Sequence, residues 1–205
     1  HSCYLRAHYP AEFMAAVLAN GGGFYHPFAY VAEAMRMGLT VLPPDVNASD
    51  FRCTGRDGVL RIGLQFVKGL SAEGVGRLLG ERDGEDGTGG RTEGRKDGGA
   101  SFHPLRPFTS LPDLRTRAGL VPSDLRALIK VGALDSIAGD WTRPMMLWMV
   151  DSGSGRDVQE GEDWFDHLPP AVPLLKDYPL ERRRQEEYAA LGFITLIFGI
   201  GQSLG

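Results

Sequence analysis

A mainly α fold is expected for this 205-residue chain, on three observations. Apolar residues recur at helical spacing through Ala11–Asn20, Pro27–Met37 and 108–137. Strand signals are confined to short segments, the clearest of them flanking an Asp-Gly turn. Two stretches, 64–79 and 125–137, set a glycine bend between apolar helical runs, the outline of tandem helix-hairpin-helix units.

The elements follow in order. Ser2–Asn20 reads as helix restarted by Pro10, because proline suits a first helical turn and disrupts an interior. Phe13, Val17 and Leu18 share a face, and Gly21-Gly22-Gly23 ends it. Pro27–Met37 is a second amphipathic helix, with Phe28, Val31 and Met35 in one stripe and Gly38 as its stop. Thr40–Leu42 reads as a short strand, after which Pro43-Pro44 forces an extended path. Asp50–Cys53 and Val59–Ile62 are expected to pair about Arg56-Asp57-Gly58. Glu81–Ser101 is glycine and charge with Ala100 its one apolar residue, so it can bury nothing and reads as a disordered insertion. Order resumes at Phe108, with Ser110 and Ser123 as helix caps. Thr142–Val150 is a short helix with Pro144 in its first turn, Ser152–Pro173 an acidic Gly/Pro-rich linker, and Leu180–Leu191 a charged helix. Ile194–Ile200 is the most apolar run, read as a buried strand or helix end.

Composition sets bounds. A hydrophobic content of 42% with 23% charged residues is ordinary for a soluble globular protein. Cys3 and Cys53 form no spaced pair, so neither a disulfide framework nor a zinc site is indicated, and a reduced, cytoplasmic setting is expected. No apolar run approaches the roughly 18 residues a membrane span requires, so no membrane partner is expected. The net charge of −4 argues against nucleic acid at first sight, but it is unevenly spread. Arg52, Arg56, Arg61, Lys68 and Arg77 against Asp57 and Glu73 give 51–80 a local +3. Arg106, Arg115, Arg117, Arg126 and Lys130 against Asp113 and Asp124 give 105–132 the same excess. The acid gathers in 151–170. A mildly basic body is compatible with a phosphate backbone.

The chemistry lies in the first bend. Leu64, Val67, Gly69, Leu70, Ser71, Val75, Leu78 and Leu79 fall on the apolar, glycine and small positions of a helix-hairpin-helix. Glycine lets a DNA strand approach the backbone and reaches dihedrals other residues avoid. The main-chain nitrogens from Val67 to Ser71 would then stand bare, and the N–H groups opening the next helix would point at a phosphate oxygen, aided by the helix dipole. Lys68 adds charge beside them. The DNA-binding candidates are therefore Lys68, Gly69, Leu70 and Ser71. Such contact reads no bases. Ser71 stands where a second glycine is usual, and Gly74 and Gly76 weaken the second helix. The alternative is a helical turn that only packs. In LRALIKVGALDSI, Lys130 and Gly132 form either a second clamp or scaffold for the first.

Other clusters carry less. Glu160, Glu162, Asp163 and Asp166 sit in a Gly/Pro-rich segment without fixed geometry, and the five histidines lack metal spacing. The glycine run 21–23 lacks the Lys-Ser/Thr of a phosphate loop. WTRPMMLW places Trp141 and Trp148 seven apart on one helix face, a core pattern rather than a stacking platform.

AHYPAEFMAAVL and VLPPDVN, followed by LRIGLQFVKGLSAEGVGRLL and RPFTSLPDLRTRAGLVPSDLRALIKVGALDSI, resemble the fingers and helix-hairpin-helix region of the bacterial DNA polymerase III alpha subunit, the C-family polymerases. WTRPMMLW resembles the error-prone type. The resemblance implies a piece of a DNA-directed DNA polymerase that binds duplex primer-template DNA through phosphates. Its divisions would be distal fingers helices (1–50), β-hairpin plus first helix-hairpin-helix (51–80), insertion (81–104), second helix-hairpin-helix region (105–150), acidic linker (151–177) and C-terminal helix and tail (178–205). It also implies Mg2+ in the palm of the parent, and a sliding clamp and other polymerase subunits as partners. The family's palm aspartate motif has no counterpart in these residues, so no catalytic or metal residue is assigned and the piece alone should be inactive. The alternatives are a stand-alone, non-catalytic DNA-binding module and a protein-interaction scaffold.

Overall fold

Proline marks where the first long helix begins. The computed structural model describes residues 2–21, 24–83, 106–153 and 172–195. In it α1 (Ser2–His8) buries none of its residues, and Pro10 opens α2 (Pro10–Ala19) at the position where a missing N–H costs nothing. The buried stripe of α2 is Ala11, Met14, Ala15 and Leu18 rather than the face centred on Phe13 and Val17. Its alanines matter because a strand packs directly on them: a Cβ at Gly55 would run into the Ala11 carbonyl. In α3 (Pro27–Arg36) Val31 and Ala34 are buried, while Phe28, expected in the same stripe, is exposed. The helix stops as expected at Gly38, whose φ is +84°, with Leu39 N–H returning to the Ala34 carbonyl at 3.1 Å.

Three short strands follow: β1 (Thr40–Leu42), β2 (Thr54–Arg56) and β3 (Val59–Arg61), in the order β1-β3-β2. β2 and β3 are antiparallel, and β1 lies parallel to β3 on its other edge. The first hairpin strand is Thr54–Arg56, not Asp50–Cys53. Asp57 and Gly58 both have positive φ, and a two-residue loop of that kind pairs Arg56 with Val59, which fixes the register at the residues beside the turn.

The segment between β1 and β2 is a strap. Asp45 Oδ1 accepts the N–H groups of Asn47 and Ala48, and buried Val46 donates its N–H to the Ala133 carbonyl at 3.0 Å. The Asn47 amide exchanges two 2.8 Å hydrogen bonds with the backbone of Phe108, 61 residues away. The VLPPDVN run therefore stitches the N-terminal half to the C-terminal half.

After a 3-10 turn at Leu64–Phe66 come α4 (Ala72–Asp83), α5 (Leu111–Ala118), α6 (Pro122–Val131), a second 3-10 turn at Asp135–Ile137, α7 (Arg143–Gly153) and α8 (Leu180–Leu191). The mainly α expectation holds. α4 runs three residues into the segment read as an insertion, and Arg82 is buried there, donating to the carbonyls of Ser49 (2.5 Å) and Val46 (3.4 Å). A guanidinium can be buried where carbonyls take its N–H groups, which composition alone does not reveal. The rest of that insertion, most of the acidic linker and the tail beyond Thr195 lie outside the described residues. Ser110 caps α5, its Oγ accepting Asp113 N–H at 3.3 Å. Ser123 does not cap α6: Pro122 takes the first helical position, so the cap falls on Val121. Trp141 precedes α7, so it does not share a helix face with Trp148; both pack against the core. Among the described residues one cluster of buried side chains extends from α2 to Phe193, beyond α8.

Candidate nucleic-acid interface

The first bend has the expected shape. Val67 is extended after the 3-10 turn, Gly69 takes φ +85°, and α4 begins three residues later. A Cβ at Gly69 would meet only the Ala127 methyl, at 3.8 Å, so glycine is required here by the dihedral and not by crowding.

The amides of the bend are mostly engaged, contrary to the expectation that they stand bare. Val67 N–H bonds the Leu64 carbonyl, Lys68 N–H the Ala190 carbonyl of α8 at 3.0 Å, and Leu70 N–H the Val67 carbonyl at 3.3 Å. Ser71 donates its N–H to Asp124 Oδ1 at 2.9 Å and its hydroxyl to Asp124 Oδ2 at 2.7 Å, while its Oγ caps Gly74 N–H at 2.9 Å. Gly69 N–H, together with the N–H groups of Ala72 and Glu73 in the first turn of α4, has no hydrogen-bond partner among the described residues. Gly74, which costs helix propensity, admits the carboxylate: a Cβ there would collide with Asp124 Oδ2. Asp124 is buried on the first turn of α6 and complements the dipole of α4.

Lys68 is exposed and Leu70 half-buried. The Lys68 Nζ and the His26 ring approach the same point above Gly192, at 3.6 and 3.5 Å from where a Cβ would stand. Phe66 and Phe193 pack edge to face at 5.6 Å. The turn is thus braced from behind by α8 and the residues following it, while Lys68 and Gly69 face outward.

The second bend is built differently. Gly132 has φ +77° and ends α6, its N–H bonding the Ile129 carbonyl while Ala133 N–H reaches back to Leu128. It is buried, and a Cβ would strike the guanidinium of Arg143, which pairs with Asp135 through Nε–Oδ1 (3.0 Å) and Nη2–Oδ2 (2.5 Å). The amide of Gly132 is therefore committed to the helix stop and covered by Arg143. Lys130 is exposed on the last turn of α6. Asp124 and Arg143 were missed by the sequence reading; a lone aspartate in a helix first turn and an arginine within the WTRPMMLW core run are their only local signals.

One charge of the local excess is neutralised from outside its segment, where Arg126 meets Asp151 at 2.6 Å. Within the segments Arg77 pairs with Glu73 at 3.3 Å and donates to the Gly119 carbonyl, and Arg117 meets Asp113 at 3.4 Å. No group of three or more His, Cys, Asp or Glu converges on a metal position among the described residues. Cys53 is buried with its Sγ accepting Gly63 N–H at 3.4 Å, Cys3 is exposed, and neither forms a disulfide. Among the described residues no helix is long and apolar enough to cross a membrane.

The first bend and its flanking helices have a helix-hairpin-helix arrangement, and the helix-hairpin-helix motif family matches residues 38–88. Similarity to individual proteins covers more of the chain. The chain is 35% identical over 198 residues to an error-prone DNA polymerase of Rhodopirellula baltica, and 33% over 199 residues to one of Alkalilimnicola ehrlichii. These alignments cover 93% and 94% of the chain but 16% and 17% of the relatives. An error-prone DNA polymerase of Corynebacterium efficiens is 36% identical over 137 residues, 66% of the chain and 10% of that protein. This chain is homologous to one segment of the error-prone, C-family DNA polymerases. It spans about a sixth or less of the length of those relatives.

Proposed function

We propose that this chain is the distal fingers and helix-hairpin-helix portion of an error-prone-type DNA polymerase, an alpha-subunit relative acting in DNA synthesis in the cytoplasm. It grips duplex primer-template DNA without sequence preference, through phosphate contacts, and holds it in register. The first bend supplies the contact: the open N–H groups of Gly69, Ala72 and Glu73 beside exposed Lys68 are the observation that supports this reading. Leu70 and Ser71 shape the bend, and Lys130 adds charge on a neighbouring face. Nucleotidyl transfer belongs to the parent, where Mg2+ held by palm aspartates would activate the primer hydroxyl. The donor set described here does not fit that ion, and the chain alone has no polymerase activity. Sliding clamp and other subunits engage the parent.

Titration of the 205-residue chain with blunt duplex DNA at two salt concentrations tests the reading. Binding on the order of 10⁻⁴ to 10⁻⁶ M is expected, with a log–log salt slope of roughly −2 to −4 for about two to four phosphates. Gly69→Val should lower that affinity while the chain still folds. Absence of binding at low salt would leave a protein-interaction scaffold; for the second bend the covered Gly132 favours a unit that packs the first.

A further inference from the structure

We propose that His26 is a further DNA-binding residue of the first bend, its ring Nε2–H and the Lys68 ammonium forming one seat for a backbone phosphate; this rests on the duplex clamp proposed above. The two groups come from different elements. His26 is the N-cap of α3, Lys68 follows the 3-10 turn of the bend, and both are exposed. They converge over Gly192, the left-handed residue (φ +83°) that ends α8. A Cβ there would lie 3.5 Å from His26 Cε1, 4.0 Å from His26 Nε2 and 3.6 Å from Lys68 Nζ. Because residue 192 is glycine, the two side chains meet above bare backbone.

Local hydrogen bonding sets what the pair can hold. Phe28 N–H donates to His26 Nδ1 at 3.3 Å and so caps α3. With Nδ1 accepting, the ring carries its proton on Nε2, and that nitrogen is a donor. Among the described residues neither His26 Nε2 nor Lys68 Nζ has a hydrogen-bond acceptor or an ion-pair partner. Two exposed donors, one of them cationic, call for an anion with several acceptor oxygens. Gly69, next in the chain, makes the same demand with its open N–H, and a nucleic-acid strand supplies phosphates in series.

Duplex titrations of the whole chain and its variants at two salt concentrations test the seat. His26→Asn keeps a side-chain acceptor at the N-cap and withdraws the ring donor. It should weaken duplex binding about tenfold and leave the log–log salt slope unchanged, because the lost donor is neutral. Lys68→Ala should weaken binding and make the slope shallower by about one. The circular-dichroism melting profile of His26→Asn should match that of the unsubstituted chain. Full duplex affinity in His26→Asn overturns the seat, as expected if the two groups only complement the carboxyl end of α8. Weakening in Gly69→Val would then still uphold the clamp. A loss of affinity accompanied by a lower melting temperature also overturns the seat, since the ring would be acting through the fold. Weakening in His26→Asn with none in Gly69→Val upholds the seat and removes the amide clamp; no duplex binding by the unsubstituted chain removes both. Displacement of the duplex by inorganic phosphate beyond that by chloride at equal ionic strength would assign the seat to a free anion and overturn its DNA role.

Discussion

Asp124 caps a helix that is not its own. Its Oδ1 accepts the N–H of Ser71 at 2.9 Å and its Oδ2 the Ser71 hydroxyl at 2.7 Å, across 53 residues of sequence. The carboxylate, on the first turn of α6, thereby joins the start of α4 to the second hairpin and occupies the Ser71 amide.

Removing that group should separate stability from binding. Asp124→Ala deletes two hydrogen bonds to a charged acceptor and leaves Ser71 N–H unpartnered, a loss of about 2 kcal/mol. Urea unfolding would measure it. Duplex affinity should rise in the same variant, because an amide is freed and a negative charge leaves the bend. A fall in affinity would place the DNA contact away from Ser71.

Two glycines two residues apart in α4 should respond with opposite signs. A Cβ at Gly74 collides with the Asp124 carboxylate, so Gly74→Ala should destabilise by roughly 1–3 kcal/mol in spite of its better helix propensity. Nothing lies within 4 Å of a Cβ at Gly76, so Gly76→Ala should stabilise by up to about 1 kcal/mol. Denaturant midpoints of the two variants relative to the parent check both.

The two bend glycines should differ in the same assay. Both hold left-handed φ, so alanine at Gly69 costs roughly 1–2 kcal/mol in backbone strain alone. At Gly132 the same strain is joined by a clash with Arg143, and the loss should be clearly larger.

Cys53 makes stability depend on alkaline pH. Burial pushes its thiol up from the ordinary value, with the Gly63 N–H opposing weakly. The unfolded thiol ionises near about 8.5 while the folded one stays protonated, so this contribution is whole below that pH and is lost as pH rises toward the folded pKa. Cys53→Ala should show a smaller alkaline loss of stability than the parent. Iodoacetamide on the native chain should label exposed Cys3 and spare Cys53 until urea unfolds it.

Much of the architecture was legible because it is set by neighbours in sequence. Pro10 and Pro27 open helices, Gly38 stops one, Ser110 caps another, and Asp57-Gly58 makes a hairpin turn, each through backbone preferences acting over a few residues. Where the reading slipped, a distant partner had intervened. β2 began later than expected because turn register outranks strand propensity. Arg82 entered the interior because the carbonyls of Val46 and Ser49 were waiting for it.

Taken alone, the order of amino acids determined the helical class, the positions of both bends and the kinship with error-prone polymerases. Which amides of the first bend remain open was decided only in three dimensions. Gly69 and Gly132 carry the same sequence signal, a glycine after a lysine or valine between apolar runs. One faces outward because α8 and Asp124 brace the bend from within; the other is closed by the guanidinium of Arg143. Hydrogen-bond satisfaction depends on whichever group the folded chain delivers to that point, and no local pattern encodes a partner that far along the chain.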